Sequence, residues 1–263
     1  RSATKTQAGQ PNVVSAPALG IDAYALEMNR VDWKLLSEKE DFIYIGEQPD
    51  LNEVFHDQFS ILAWIKPNRF LDGHIIDKNV QNTLKGFSLS VLAIQNTNGE
   101  KGQLRFCGGK GCFHASRHLT LGKWHHVAVV FDARNEKKLR FYINGRCDIN
   151  EYSTVTPVEI NQLPLLIGKP SQAADTWRPI HRAGVWDGTI DDISIWDRVL
   201  KEREIFDFMF ERVDVDKARA LVAYYGFNEG QGTLLQDLSG NEYHGTIFGA
   251  PTYVSSITKP LNE

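Results

Sequence analysis

The sequence lacks the features of a membrane span and of a nucleic-acid-binding domain. No apolar run approaches the roughly 20 residues that a helix needs to cross the hydrocarbon core of a bilayer. Basic residues are in deficit, with 29 lysines and arginines against 33 acidic residues and a formal net charge of −4. Domains that bind nucleic acid normally carry a basic excess. We therefore expect neither membrane insertion nor a nucleic-acid partner.

Cysteine is scarce. The three cysteines, Cys107, Cys112 and Cys147, are too few for a disulfide scaffold. A glycine-rich interval of four residues separates the first two, and a hairpin there would bring their sulfurs within bridging distance. The sequence thus predicts a Cys107–Cys112 disulfide and an oxidising compartment. Cys147 could instead pair with either one, and three reduced thiols are the remaining alternative.

Motifs of catalysis are missing as well. There is no Ser-His-Asp order, no glycine-rich phosphate loop and no zinc-ligand spacing. Hydrolysis of a glycosidic bond needs two carboxylates aimed at one bond, which on a strand calls for acids at alternate positions. Asp191 and Asp192 are adjacent, so they point to opposite faces. We therefore predict a protein without catalytic residues.

The sequence does carry the pattern of a protein built from β-strands. From about Tyr24 onward, short apolar segments alternate with turn signals, whereas residues 1–18 are polar and read as a linker or N-terminal arm. We expect residues 19–263 to form one domain, because all-β sandwiches of this length are common. Asn144-Gly145 is a strong hairpin signal. Helical spacing appears only within residues 198–212, which predicts one short helix.

Four segments in order carry a family resemblance: residues 59–67 (FSILAWIKP), 122–132 (GKWHHVAVVFD), 139–145 (LRFYING) and 188–196 (GTIDDISIW). Together they resemble the laminin-G-like jelly-roll family of the concanavalin A-like lectin/glucanase superfamily, which is related to pentraxins. The resemblance implies an all-β, two-sheet antiparallel jelly-roll sandwich with one short C-terminal helix.

The resemblance also implies a function. We expect a non-catalytic recognition module of a larger secreted or cell-surface protein, which binds a glycan or a protein through its end loops. Other domains of the same chain are expected neighbours. A hydrolase or lyase of the same superfamily is one alternative, and a purely structural domain that packs on its neighbours is another.

One segment departs from the family order. Residues 220–254 resemble the segment that usually opens such a domain, yet they lie near the end of the chain. They either close the same sandwich or begin a second repeat, and we favour closure because too few residues follow for an independent domain.

The Trp124-His125-His126 motif suggests a catalytic or metal site at first sight. On a strand, however, the two histidines point to opposite faces and cannot share one ligand. We interpret the motif as a marker of the fold.

Calcium is the inorganic partner that the resemblance implies. Ca²⁺ prefers carboxylate, amide and carbonyl oxygens, and by resemblance Asp191 is the first candidate ligand, with Asn29 and Asp41 as further candidates. The alternative is that the acidic pair at 191–192 only caps a turn and pairs with neighbouring arginines.

Two clusters could bind an organic ligand. One is a loop with Trp177, Arg178, His181, Arg182 and Trp186, where indole rings can stack on a sugar or peptide and guanidinium groups can bind carboxylate or sulfate. The alternative is that such loops pack on the sandwich with solvated charges.

The other cluster surrounds the cysteine hairpin. From it we select Lys110 and Arg117 as ligand-binding residues, with the same alternative of solvated charges. The full cluster is Arg105, Lys110, His114, Arg117 and His118.

Overall fold

The computed structural model describes residues 23–29, 40–46, 48–80, 85–93, 101–171 and 184–256. In these ranges the chain forms two antiparallel sheets of eight strands each, which confirms the predicted sandwich. The predicted arm at residues 1–18 lies outside them. No described helix is long and apolar enough to cross a membrane.

Sheet A has the order β10-β9-β8-β3-β12-β1-β16, and β13 also pairs with β12. The predicted segments 59–66 and 124–131 become its central pair, β3 and β8. The strands are β1 (Tyr24–Met28), β3 (Gln58–Pro67), β8 (His125–Asp132), β9 (Lys138–Ile143), β10 (Arg146–Ser153), β12 (Gly188–Trp196), β13 (Leu221–Tyr225) and β16 (Thr252–Ser255).

Sheet B has the order β14-β15-β2-β11-β4-β5-β6-β7. Several of its strands are short, so its register depends on pairing between distant parts of the chain. The strands are β2 (Phe42–Tyr44), β4 (His74–Asp77), β5 (Ser88–Val91), β6 (Gln103–Gly108), β7 (Gly111–His118), β11 (Leu166–Ile167), β14 (Leu234–Leu235) and β15 (Gly245–Phe248).

Two tight hairpins follow from local sequence. At the β9–β10 turn, Asn144 has φ 51° and Gly145 has φ 70°, as expected for a two-residue turn that needs positive φ at both positions. At the β6–β7 turn, Cys107 and Cys112 are register partners and form a disulfide. Both predictions are confirmed, and Cys147 keeps a free thiol.

There are two short helices in the described ranges instead of the one predicted. The unpredicted helix, α1 (Pro49–Val54), begins at a proline, which suits a first helical position because its missing N–H needs no partner there. The predicted helix is α2 (Glu202–Asp207), shorter than the 198–212 pattern. The Glu204 carboxylate accepts the backbone N–H of Lys201 at 2.9 Å, which holds the start of α2.

The main core lies between the sheets. On β3 and β8 alternate residues point inward and are fully buried, among them Phe59, Ile61, Val129 and Phe131. The alternation that the sequence shows is therefore the alternation that builds this core.

The outer face of sheet A is also buried. The segment that joins β12 to β13 contains α2 and folds back over this face, where it forms a second apolar cluster. Buried members of that cluster are Leu62, Ala128, Val130, Tyr142, Trp196, Leu200, Ile205, Leu221 and Tyr224. Sheet A is thus covered on both faces.

The segment after Arg219 contributes strands to both sheets. β13 pairs with β12 and β16 pairs with β1 in sheet A, while β14 and β15 extend sheet B beside β2. This is the arrangement expected if the segment closes the same sandwich.

Candidate functional site

The outer face of sheet B carries the candidate site. Its inward residues, such as Leu89 and Phe106, belong to the main core, so their neighbours along each strand point away from the core. One transverse row crosses all eight strands, because each residue is the register partner of the next: Leu234, Thr246, Tyr44, Leu166, Asp77, Ser88, Cys107 and Cys112.

A polar row lies beside it, formed by His74, Ser90, Arg105 and His114, which are successive register partners on β4 to β7. These side chains are mostly buried, although they face away from the main core. Burial, and then the positive charge of Arg105, lower the pKa of His114. Its imidazole is therefore neutral near pH 7.

A bulge in β4 places His74 and Asp77 on one face. Residues three apart on a regular strand point to opposite faces, but the register shifts between His74 and Ile76, so both side chains face outward. Asp77 Oδ2 accepts a hydrogen bond from His74 Nδ1 at 2.6 Å. A carboxylate only accepts, so His74 carries its proton on Nδ1 and presents Nε2 as the other ring nitrogen.

The buried Asp77 carboxylate also holds neighbouring loops. Its Oδ1 accepts the backbone N–H groups of Asn79 and Ser171 at 2.9 and 2.8 Å. On the same strand, the His74 backbone N–H donates to the carbonyl of Gly184 at 2.8 Å. β4 is therefore the attachment point of the chain on both sides of residues 172–183.

An aromatic cluster, formed by Phe42, Tyr44 and Phe248, occupies the other end of the face. Phe42 and Phe248 stack with ring centroids 4.9 Å apart, and Tyr44 meets Phe248 edge to face at 6.5 Å. Tyr44 and Phe248 are 37% and 43% exposed, and the Lys169 ammonium lies 4.5 Å from the Phe42 centroid. Exposed, flat rings of this kind can stack on the apolar face of a sugar.

A cleft of about 490 Å³ lies on the sheet A side, between α2 and the loop before β13. Its charged groups already pair with each other: Arg198 makes two bonds to Glu204, at 3.1 and 2.7 Å, and Lys217 meets Asp214 at 2.6 Å. These pairs leave the cleft a weaker candidate than the sheet B face.

The loop residues predicted to bind a ligand fall in two places. Trp177, Arg178, His181 and Arg182 lie outside the described residues. Trp186 is described, and the structure places it in the main core at 1% exposure, which favours packing over ligand contact.

The two residues predicted around the cysteine hairpin differ in their surroundings. Lys110 is exposed at the tip of the hairpin, with φ 66°. Arg117 is held by protein groups, since its guanidinium contacts Asp148 at 3.3 Å and donates to the carbonyls of Ile143 and Arg146 at 3.2 and 2.5 Å. Arg117 therefore fastens β7 to the β9–β10 turn.

The predicted calcium ligands do not meet at one point. Asp41 accepts the backbone N–H groups of Asn29 and Ala250 at 3.0 and 2.7 Å. Asp191 is fully buried, and its carboxylate accepts bonds from Ser256 and from the Asp192 amide, both at 2.8 Å.

The separation follows from the register of sheet A. Leu26 pairs with Ile190, so Asp191 lies about four residues, or roughly 13 Å, along β1 from Asn29. Among the residues described, no group of three His, Cys, Asp or Glu side chains could hold a metal. Asp191 therefore lies apart from Asn29, and calcium at any of these candidates stays a prediction that a melting curve with and without chelator tests.

The two histidines of the tryptophan motif do point to opposite faces. His125 pairs with Ile65 of the main core, and its Nε2 lies 2.9 Å from the Thr120 backbone nitrogen. His126 faces the other side, with its ring centroid 5.3 Å from that of Trp64. The interpretation of the motif as a fold marker is confirmed.

Sequence reasoning did not identify the site on sheet B. Arg105 and His114 belonged to the predicted basic cluster, but they lie on the sheet face and not on a loop. The His74–Asp77 pair depends on a bulge that has no sequence signal. The Phe42-Ile43-Tyr44 alternation could have indicated outward rings on β2, since Ile43 is fully buried.

Two antiparallel sheets around one apolar core define a jelly-roll β-sandwich. The laminin-G model of the concanavalin A-like lectin/glucanases superfamily matches residues 39–206. The chain therefore belongs to this superfamily, which confirms the resemblance seen in its motifs.

Solved structures share the fold at low sequence identity. A "putative carbohydrate binding protein" from Bacteroides ovatus is 19% identical with a TM-score of 0.70, over 91% of this chain and 62% of that one. A heptameric SAP-like pentraxin from Limulus polyphemus is 14% identical with a TM-score of 0.59, over 91% and 98%. The chain thus spans less than two thirds of the Bacteroides structure. Comparison with curated proteins gave no match.

Proposed function

We propose that the chain is a non-catalytic carbohydrate-binding module that holds a glycan on the outer face of sheet B. The observation that carries the proposal is the combination of an exposed aromatic cluster and a polar row on one sheet face. Sugar rings have apolar faces that stack on aromatic rings and hydroxyl groups that hydrogen bond with polar side chains. Sheet B places exposed rings and the partly exposed His74 and Arg105 on one face, whereas the outer face of sheet A is covered.

The family and the description of the Bacteroides ovatus structure support this proposal. The Cys107–Cys112 disulfide supports an extracellular or cell-surface location, because such bridges persist in oxidising compartments. Further domains of a larger protein are part of the proposal, since this chain spans only 62% of that structure.

A glycan array tests the proposal. We expect Tyr44→Ala with Phe248→Ala to weaken glycan binding about tenfold or more, since each aromatic contact contributes about 0.5–1.5 kcal/mol beyond its buried area. The matched control is Phe206→Ala with Phe210→Ala, because these rings are 40% and 42% exposed and also pair, at 5.0 Å. Equal losses in both double variants, or no loss in the first, would contradict a site on sheet B.

A hydrolase is the second candidate, favoured by one arrangement. Ser90 is the cross-strand partner of His74, whose ring Asp77 holds in place, and a nucleophile, base and orienting carboxylate are the parts of acyl-transfer sites. No hydrogen bond between Ser90 and His74 is formed in the described structure, so we favour binding. Turnover of acetylated glycans or ester probes that Ser90→Ala abolishes would establish the enzyme instead.

A further inference from the structure

The Cys107–Cys112 disulfide lies at the edge of sheet B, in the hairpin formed by β6 and β7. The two cysteines are direct register partners and are five residues apart in the sequence. The stability that a disulfide adds by restraining the unfolded chain increases with the length of the loop it closes. A bridge over so short an interval is therefore at the low end of the range for structural disulfides.

Other contacts hold β7 independently of the bridge. The Asp148 carboxylate accepts the backbone N–H groups of Ser116 and Arg117 at 2.7 and 3.1 Å. The Tyr152 hydroxyl accepts the backbone N–H of His114 at 3.1 Å and donates to its carbonyl at 2.7 Å. These bonds join β7 to β10, so we expect the strand to stay in place when the sulfur–sulfur bond opens.

The two sulfurs differ in access and in electrostatic surroundings. Cys107 is 5% exposed, whereas Cys112 is half-buried. Arg105 Nη2 lies 3.3 Å from the Cys112 sulfur, and a disulfide sulfur is only a weak acceptor. Arg105 Nε is buried without a hydrogen-bond partner, and among the described residues Arg105 forms no ion pair. The more accessible sulfur therefore faces a positive charge that has no counterion in the described structure.

A thiolate at Cys112 satisfies this arginine better than the disulfide does. Thiolate sulfur carries a full negative charge, and charge-assisted hydrogen bonds are about twice as strong as neutral ones. A neighbouring arginine also lowers the pKa of a cysteine thiol. Stabilising the thiolate favours the reduced form of a disulfide and raises its reduction potential. The surroundings of Cys112 therefore favour opening of the bridge.

Cys147 has the opposite surroundings and serves as an internal comparison. It is also half-buried. Burial raises the pKa of its thiol more than the hydrogen bond with the Tyr142 hydroxyl lowers it, and the Glu202 carboxylate raises it further. The Cys147 thiol is therefore protonated near pH 7.

We infer that Cys107–Cys112 is a redox-exchangeable disulfide, tuned by Arg105, that reacts with dithiols through its Cys112 sulfur. A thiolate of the dithiol bonds to Cys112, the bridge breaks, and Cys107 leaves with the two electrons of the broken bond. The second thiolate of the dithiol then attacks the sulfur bound to Cys112 and releases Cys112 as a thiolate beside Arg105. The bridge has gained two electrons and the dithiol has become a disulfide. One of the two protons that the dithiol loses goes to Cys107 and the other to solvent.

A redox titration of the folded protein tests this exchange. The chain is equilibrated with mixtures of reduced and oxidised dithiothreitol, free thiols are alkylated, and mass spectrometry counts the labels on each cysteine. We expect Cys107 and Cys112 to be reduced together while the circular dichroism spectrum stays that of the folded protein. A bridge that dithiothreitol opens only after denaturant has unfolded the chain would overturn the inference.

Variants test the effect of the arginine on the same equilibrium. Arg105→Gln is expected to shift it about tenfold towards the disulfide, which is about 30 mV for a two-electron couple, while Arg105→Lys retains part of the effect. Arg203→Gln is the matched control, since its side chain is 79% exposed on α2, and it should leave the equilibrium unchanged. Equal shifts in Arg105→Gln and Arg203→Gln, or no shift in either, would contradict tuning by Arg105.

Alkylation rates identify the reactive sulfur without depending on the equilibrium. Cys107→Ser leaves the Cys112 thiol and Cys112→Ser leaves the Cys107 thiol, so labelling with iodoacetamide at pH 7 compares the two in matched proteins. We expect Cys112 to react about tenfold or more faster than Cys107 and Cys147, because it is accessible and lies beside a positive charge. Labelling of Cys107 at the same rate or faster would overturn the assignment of Cys112 as the attacked sulfur.

Discussion

The stacked aromatic rings on the outer faces of the two sheets differ in solvent exposure. On sheet A, Trp196 stacks on Phe208 with centroids 5.1 Å apart and is fully buried, because the chain between β12 and β13 folds over it. On sheet B, Phe248 stacks on Phe42 at a similar 4.9 Å, yet 43% of its surface remains exposed. The same kind of aromatic pair is therefore core on one face and available surface on the other.

The two sheets differ in how much apolar surface they bury on their outer faces. Covering a face removes apolar area from water and stabilises the fold, whereas an uncovered aromatic cluster forgoes that gain. An exposed apolar patch on a folded domain commonly marks an interaction site. Sheet A therefore contributes stability through both of its faces, whereas the aromatic cluster of sheet B stays partly exposed.

The largest effect on the free energy of unfolding is expected when Trp196 and Phe248 are each truncated to alanine. Trp196→Ala is expected to lower the free energy of unfolding by about 3–5 kcal/mol, because it opens a cavity in a filled cluster. Phe248→Ala is expected to change it by less than about 1 kcal/mol, as surface substitutions do. Urea denaturation of both variants checks this, and similar losses in the two would show that the faces are equivalent.

A smaller effect is expected from the disulfide at the edge of sheet B. Replacing Cys107 and Cys112 by serine removes a bridge that spans five residues, and loop-closure entropy then predicts a loss of about 2 kcal/mol. Denaturation of the double variant measures it. Thiol titration of the unfolded, unreduced chain should find one free thiol, from Cys147, and a count of three would remove the bridge and the argument for an oxidising compartment.

The smallest effect is the pH dependence of stability that comes from one buried histidine on each sheet. Burial lowers the pKa of His125 on β8, more than the hydrogen bond with Thr120 raises it, and burial followed by the charge of Arg105 lowers the pKa of His114 on β7. The unfolded chain therefore binds more protons below its histidine pKa of about 6.5, so stability falls as the pH drops from 7 towards 5.

Denaturation between pH 5 and 8 measures this slope. His125→Gln and His114→Gln should each flatten it, while carboxylates such as Glu204, whose pKa the hydrogen bond with Arg198 lowers, act at more acidic pH. Stability that rises on acidification over this range would show that these imidazoles gain a partner on folding.

Local patterns predicted much of the fold and little of the candidate site. Alternation located β3 and β8, the Asn144-Gly145 pair located a hairpin, and the spacing of Cys107 and Cys112 located a disulfide. Each of these depends on neighbours in the chain. The candidate site does not depend on chain neighbours. Phe42 and Phe248 come from opposite ends of the chain and meet only because β15 pairs with β2.

The polar row could not be predicted from the sequence either. Its residues belong to four strands whose registers are set by bulges, so neither the His74–Asp77 contact nor the position of Arg105 follows from spacing. The separation of the calcium candidates Asp191 and Asn29 likewise depends on the pairing of β1 with β12, which spacing along the chain does not show.

By itself, the sequence determined the class of this protein: a β-sandwich of the concanavalin A-like superfamily, recognisable because period-two burial and tight turns are properties of neighbouring residues. Only the tertiary structure decided how far each sheet face is covered and which rings remain exposed. Those features depend on where a distant segment folds back and on cross-strand register, and both are settled by packing of the whole domain.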